Sequence, residues 1–213
     1  MKIEYLGHSC FLMSEGKIKF LTDPYTGVGY EMPKVEADYI TCSHDHFDHN
    51  FIAGVSGVKK VINSTGNFTE CGIGIKGIPA FHDEVGGRKR GKSIVFCYQF
   101  KDLSVCHLGD IGETPSEELF SRLPRADVLM IPVGGKYTID GKQAAEYVKA
   151  INPKIVIPMH FLTKRCGLDI SGPNEFLKYA EREAIVLPEL ESENAEKYFG
   201  KIVFLKERVN EER

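Results

Sequence analysis

The chain has 213 residues, 42% hydrophobic and 27% charged, with 30 acidic and 27 basic side chains for a net charge of −3. That balance fits one globular domain, 1–213, large enough to hold a core without staples, and it offers no basic stripe for long nucleic acid. The longest apolar run, residues 94–98, is far short of the ~18 residues of a spanning helix, and nothing after Lys2 reads as an export leader.

Short strands are expected over residues 3–6, 10–13 and 18–21, with a turn at Glu15-Gly16. Residues 38–43 form a further strand that runs into a His-rich loop. Residues 93–100 and 103–109 read as a hairpin around Lys101-Asp102. Residues 127–133 and 154–159 are apolar runs of a buried sheet. Helices fall between the later strands. Thr114-Pro115-Ser116-Glu117 reads as a capping box with Pro at the first helical position. Asp140 caps a second helix, which Asn152-Pro153 stops. Gly172-Pro173 opens a third. Residues 201–205 form a last strand, and the charged tail 206–213 is expected to fray. The six cysteines (Cys10, Cys42, Cys71, Cys97, Cys106 and Cys166) form no C-x-x-C pair. They are expected as small hydrophobes in a reduced, cytoplasmic protein.

The chemistry is concentrated in Ser43-His44-Asp45-His46-Phe47-Asp48-His49-Asn50. Residues two apart in an extended segment point the same way, so His44 and His46 offer two imidazoles to one ion. Asp48 and His49, on the turn that follows, reach a second position. Imidazole with carboxylate suits Zn, Mn or Fe. His82 is expected in a loop before the hairpin. Asp110 and His160 each follow a strand, and the sites of open α/β sheets lie at such ends. These three are the candidates to complete a two-ion set, with Asp110 able to bridge.

The H-x-H-x-D-H cluster, followed in order by His82, Asp110 and His160, resembles the metallo-β-lactamase superfamily. Gly7-His8-Ser9-Cys10, Leu21-Thr22-Asp23-Pro24, His107-Leu108-Gly109-Asp110 and Pro158-Met159-His160 narrow the likeness to its ascorbate-6-phosphate lactonase branch of metal-dependent hydrolases. The resemblance implies an α/β fold, an αββα four-layer sandwich with two metals at one sheet edge. It assigns His44, His46 and His82 to one ion, Asp48, His49 and His160 to the other, and Asp110 to both. Asp23 matches an early aspartate that orients the metal loop. Asp rather than Cys at position 110 sets the chain apart from the antibiotic-hydrolysing members. The implied activity is hydrolysis of a lactone, ester or phosphodiester in a small, anionic substrate. Two divalent transition-metal ions, Zn foremost with Mn or Fe as alternatives, would activate a bridging hydroxide. Asp48 would orient that nucleophile.

His8, at a strand–strand turn, and Asp23 are expected to support the ligands, with a purely structural role the alternative for His8. His107, three before Asp110, points to the opposite sheet face and is expected not to ligate. Gly86-Gly87-Arg88-Lys89-Arg90-Gly91-Lys92-Ser93 matches the P-loop pattern. A P-loop needs a helix after it, however, and residues 94–100 read as a strand. Arg88 and Arg90 are the candidates to clamp an anion beside His82, and a solvated hairpin loop is the plain alternative. Tyr137, after Gly134-Gly135, is a candidate donor to a developing oxyanion. Two other classes stay open: a non-catalytic metal-binding or ligand-sensing protein on the same fold, and a nucleotide binder through residues 86–93. A homo-oligomer is compatible with the sequence.

Overall fold

The computed structural model describes residues 1–208. In chain order the strands are β1 (Lys2–Gly7), β2 (Cys10–Glu15), β3 (Ile18–Thr22), β4 (Val35–Glu36), β5 (Tyr39–Thr41), β6 (Val55–Ser56), β7 (Lys60–Ile62), β8 (Gly66–Glu70), β9 (Ile73–Phe81), β10 (Lys92–Gln99), β11 (Ser104–His107), β12 (Val128–Pro132), β13 (Ile155–Met159), β14 (Ala184–Leu187), β15 (Leu190–Glu191) and β16 (Lys201–Leu205). The helices are α1 (Glu117–Arg122), α2 (Gly141–Ile151) and α3 (Asn174–Ala180). None of these helices is long and apolar enough to cross a membrane.

One sheet runs β15-β1-β2-β3-β5-β7, the other β14-β16-β13-β12-β11-β10-β9-β8, and β4 pairs with β6 apart from both. The two sheets pack face to face because their strands alternate. Ile3 and Tyr5, Phe11 and Met13 point inward from the first sheet, and Phe96, Tyr98, Met130 and Ile157 meet them from the second. Leu129, Ile131 and Val156 point the other way, onto Leu119, Ala144, Tyr147, Val148 and Phe176 of the three helices. The parallel strands β12 and β13 are therefore buried on both faces and read as unbroken apolar runs. Full burial of a side chain such as Phe176 contributes about 2–3 kcal/mol.

This is the layered α/β sandwich that the resemblance implies, with one local difference. The outer face of the first sheet (Leu6, Leu12, Leu21 and Ile40) is covered by Tyr25, Val28, Val35 and Ala37. These lie on the long β3–β5 connection, so loop rather than helix forms that layer. The C-terminal fifty residues, which carry no motif, supply strands to both sheets: β15 beside β1, and β14 and β16 beside β13.

Several local expectations are corrected. α1 is capped by Ser116, which accepts from the Leu119 N–H, rather than by Thr114. The Glu113 carboxylate takes the Phe81 N–H at 2.8 Å and its carbonyl takes the Tyr147 hydroxyl at 2.9 Å, so this stretch is held outside the helix. His82 lies in the loop before the β10–β11 hairpin, as expected; the addition is β9 ahead of that loop, which pairs with the whole of β10. β9 escaped notice because Gly74, Gly77 and Pro79 interrupt its pattern; Gly77 is required, since a Cβ there would lie 2.6 Å from the Ser64 carbonyl oxygen. Cys97 and Cys106 are not isolated hydrophobes: they face each other across β10 and β11 and form a disulfide. The tail is anchored as far as Arg208, through Arg208 N–H to Tyr5 O at 2.8 Å and an Arg165–Glu207 ion pair at 2.8 Å; residues 209–213 lie outside the described residues.

Candidate active site

Strand ends from both sheets converge at one edge of the sandwich. β3 delivers Asp23, β5 leads into residues 43–50, β9 ends before His82, β11 before Asp110 and β13 before His160. Three non-glycine residues here hold left-handed backbone: His8 (φ 52°), Asp23 (φ 39°) and His160 (φ 49°). Such conformations cost about 1–3 kcal/mol each and persist where the surroundings over-determine them. The constraint is visible for His8. Its N–H donates to the Tyr30 hydroxyl at 3.0 Å, and its carbonyl accepts from the Tyr5 hydroxyl and from the His160 N–H, each at 3.0 Å.

Asp110 Oδ2 lies at the centre. It is 3.2 Å from His49 Nε2 and from His160 Nε2, 3.6 Å from His82 Nε2 and 4.0 Å from His44 Nε2. His46 packs beside this group, its ring centroid 4.5 Å from that of His44 and 5.3 Å from that of His82. Ligand atoms fall into close sets: His44, His46 and His82; His44, His49 and Asp110; and His8, Asp48, His49 and His160, each set within 4.8 Å of itself. His8 thus stands among the candidate ligand atoms, with Nε2 3.4 Å from Asp48 Oδ2. The sequence signal for it was Gly7-His8 alone. What brings it in is the backbone bond from His160, a contact across 152 positions.

The chemistry of these atoms fits a cation. His8 Nε2, His44 Nε2, His49 Nε2, His160 Nε2 and Asp110 Oδ1 are buried without a hydrogen-bond partner, a costly state that a ligated ion relieves. Burial holds His44 down to about 3 and His8 to about 4, with neighbouring imidazoles reinforcing both. Both therefore stay neutral and available as donors. His49 goes the other way: burial opposes charge, but Asp110 and Asp23 pull its pKa well above the ordinary value. Burial likewise opposes ionisation of Asp110 and Asp48, yet His160 and His49 hold Asp110, and His8 holds Asp48, below the usual carboxylate range. Among the described residues, the ion-pair partners of these two carboxylates are all histidines.

Asp23 sets the ring orientations. Its carboxylate accepts from the Ser43 N–H and Ser43 hydroxyl, each at 2.7 Å, and from His49 Nδ1 at 2.9 Å. The Ser43 hydroxyl has one proton and gives it to Asp23, so at 3.0 Å it accepts from His44 Nδ1. Both imidazoles then turn Nε2 toward Asp110; on the neutral His44 it is bare, and on His49 it carries a proton that a bound ion would displace. His107 takes no part in the ligand sets. Its Nε2 donates to the Ser9 carbonyl at 2.8 Å and its Nδ1 accepts from the Gly109 N–H at 3.2 Å, tying the His8 turn to the segment before Asp110.

A cavity of about 510 Å³ opens over these groups, floored by His46, Asp48, His82 and Asp110, with Arg90 and Tyr137 at its side. The Arg90 guanidinium lies 5.6 Å from the centre of the Tyr137 ring. Residues 83–91 are arranged by Asp83, which sequence reading passed over. Its carboxylate accepts N–H groups from Val85, Gly87, Lys89 and Arg90 at 2.8–2.9 Å. Burial opposes its charge, but those four donors hold it at about 2. Arg88, paired with Arg90 as a clamp from sequence, turns its Nε to the Val85 carbonyl at 3.0 Å and is exposed; only Arg90 of the two lines the cavity. β10 follows the loop directly, so the P-loop match has no helix to bring to a phosphate.

The beta-lactamase superfamily domain matches residues 2–160. A UPF0173 metal-dependent hydrolase of Pyrococcus abyssi is 33% identical over 218 residues, covering 88% of this chain and 95% of that one. One from Carboxydothermus hydrogenoformans is 29% identical over 193 residues, covering 76% and 85%. Among solved structures, a candidate Zn-dependent hydrolase of the metallo-beta-lactamase superfamily from Thermotoga maritima superposes with a TM-score of 0.77 at 34% identity, covering 97% of this chain and 99% of that one. The chain belongs to the metallo-β-lactamase superfamily, among its UPF0173 metal-dependent hydrolases.

Proposed function

We propose that the protein hydrolyses a small anionic substrate with two divalent transition-metal ions, Zn foremost and Mn or Fe as alternatives. The observation that carries this reading is the position of Asp110 Oδ2, within 4.0 Å of four imidazole Nε2 atoms, on the floor of an open cavity. His44, His46 and His82 would hold one ion, and His49, His160, Asp48 and His8 the other, with Asp110 shared. Bound there, the ions supply Lewis acidity and a water acidic enough to react near neutral pH.

The remaining roles belong to the chain. Asp48, kept ionised, accepts a hydrogen bond from the attacking water and aims it. Tyr137 donates to the oxyanion as it forms. Arg90 binds the substrate's anionic group, and it is free to do so. Its neighbours Lys89 and Lys136 are paired with Glu84 and Asp169, whereas Arg90 has no carboxylate partner among the described residues. Resemblance favours a lactone or a phosphodiester as the bond. The test is turnover of lactones, phosphodiesters and thioesters by metal-reconstituted protein. Hydrolysis of an anionic member over its neutral analogue is expected. Arg90→Ala should raise KM about tenfold or more with kcat and metal content kept. Metal-loaded protein that turns over nothing, or an Arg90→Ala variant unchanged on the anion, contradicts the reading.

A further inference from the structure

Phe47 is the largest departure from burial near the site. It sits between the ligands His46 and Asp48, yet it is 60% exposed, and it lines the cavity together with Leu168. An exposed phenyl ring in a loop is ordinary when it is loosely held. This one is not. The Thr26 N–H donates to the Phe47 carbonyl at 3.2 Å. The ring lies so close over Gly27 that a Cβ there would come within 2.9 Å of two ring carbons. Gly27 also has φ +73°, so the contact needs a glycine twice over.

Leu168 is held by the same short segment. The Gly167 N–H donates to the Val28 carbonyl at 2.8 Å, and the Gly29 backbone packs so tightly on Gly167 that any side chain at Gly29 would collide with it. One stretch, residues 26–29, therefore fixes two apolar side chains that come from distant parts of the chain. They line the cavity as its more exposed apolar part, while the buried His82 and Asp110 and the Arg90 cation beside the Tyr137 ring line the rest. A substrate that were only an anion would have no use for an apolar wall built this way. Apolar area placed in water costs free energy that a matching ligand group recovers.

We infer that Phe47 and Leu168 determine specificity: the substrate carries an aryl or bulky alkyl group next to its anionic group, and that group packs against them. This rests on the reading of the cavity as a hydrolase site with Arg90 as the anion partner. The bond to be cleaved lies over the floor, between the part held by Arg90 and the part held by the wall. A ring-sized apolar contact of this kind is worth about a tenfold preference or more.

The test separates binding from turnover. Methylphosphonate and phenylphosphonate share an anion and differ in the ring, and their P–C bonds resist hydrolysis. Calorimetry on the metal-loaded protein should show phenylphosphonate binding about tenfold tighter. Phe47→Ala should remove most of that ratio, Phe47→Leu should restore much of it, and Leu168→Ala should reduce it. Arg90→Ala should weaken both probes and leave the ratio in place. Phe47 is exposed, so its variants keep the fold. If phenylphosphonate binds no better than methylphosphonate, or if the ratio survives both alanine substitutions, the wall is not a specificity element. Turnover of methyl and phenyl monoesters of one dicarboxylic acid reads the hydrolase assignment by itself. Protein that binds the phenyl probe preferentially but cleaves neither ester keeps the wall and loses the assignment.

Discussion

Asp23 is the side chain on which the site's proton arrangement depends. It touches no candidate ion position itself, but through Ser43 and directly it fixes which nitrogen of His44 and of His49 is turned toward Asp110. Asp23→Asn keeps the shape and loses the charge. The His49 Nδ1–H then faces a weaker acceptor, and the pull on both rings falls. Metal affinity is expected to drop about 10–100-fold, as for other partners that orient ligating imidazoles. A chelator-competition titration at a temperature where the variant is folded measures it; unchanged affinity would show that the rings are oriented by something else. At this scale the cluster 43–50 was legible because five His and Asp residues fall within six consecutive positions, and Asp110 and His160 were legible because each follows an apolar run. His8 was only half legible. Its place depends on a backbone bond between the β1–β2 turn and the end of β13, which no local pattern encodes. Arg88 and Arg90 look equivalent in sequence, and only the backbone that Asp83 imposes separates them.

Among the elements, α2 shows local rules and tertiary structure in agreement. Asp140 accepts from the Gln143 N–H at 2.8 Å and Gln143 returns the bond at 3.1 Å, while Asn152 closes the helix in left-handed conformation (φ 49°). Its apolar positions Ala144, Tyr147 and Val148 are buried against β12 and its neighbours. Asp140→Ala should cost about 1 kcal/mol of stability, read as a lower urea midpoint, with activity kept because the carboxylate faces solvent. A midpoint that does not move would mean that packing alone defines this helix start. The α1 start misled for a physical reason: Glu113 is claimed by Phe81, Arg122 and Tyr147, so the chain cannot turn until Ser116. β14 was illegible because it is short and half-exposed, and β15 because it is two residues long and pairs only with the distant β1.

For the whole molecule, the buried histidines make stability depend on pH in a definite direction. In the metal-free protein His44 and His8, held down to about 3 and about 4 chiefly by burial, stay neutral where the unfolded chain would protonate near 6.5. His82 and His107 are lowered by burial as well. The unfolded state thus binds more protons as pH falls below about 7, and stability drops with it. His49, whose pKa is raised, acts in the opposite sense, one group against four. The Tm of metal-free protein should therefore fall between pH 7 and pH 5. Added metal should raise Tm most at the upper end, because protons compete with the ion for the same nitrogens. A metal-free Tm that is flat or rising toward pH 5 would contradict this balance.

Two ions sharing Asp110 are the centre of the proposal, and four strand ends and one turn bring the candidate ligands together at this edge. Elemental analysis of protein stripped with chelator, reconstituted with Zn and freed of excess reads this directly, on the native chain and on Asp110→Asn. The account predicts saturation at two ions per native chain and at one or fewer in the variant, with hydrolytic activity lost in step. Saturation of the native chain at one ion, or two ions retained by an active Asp110→Asn, would contradict it.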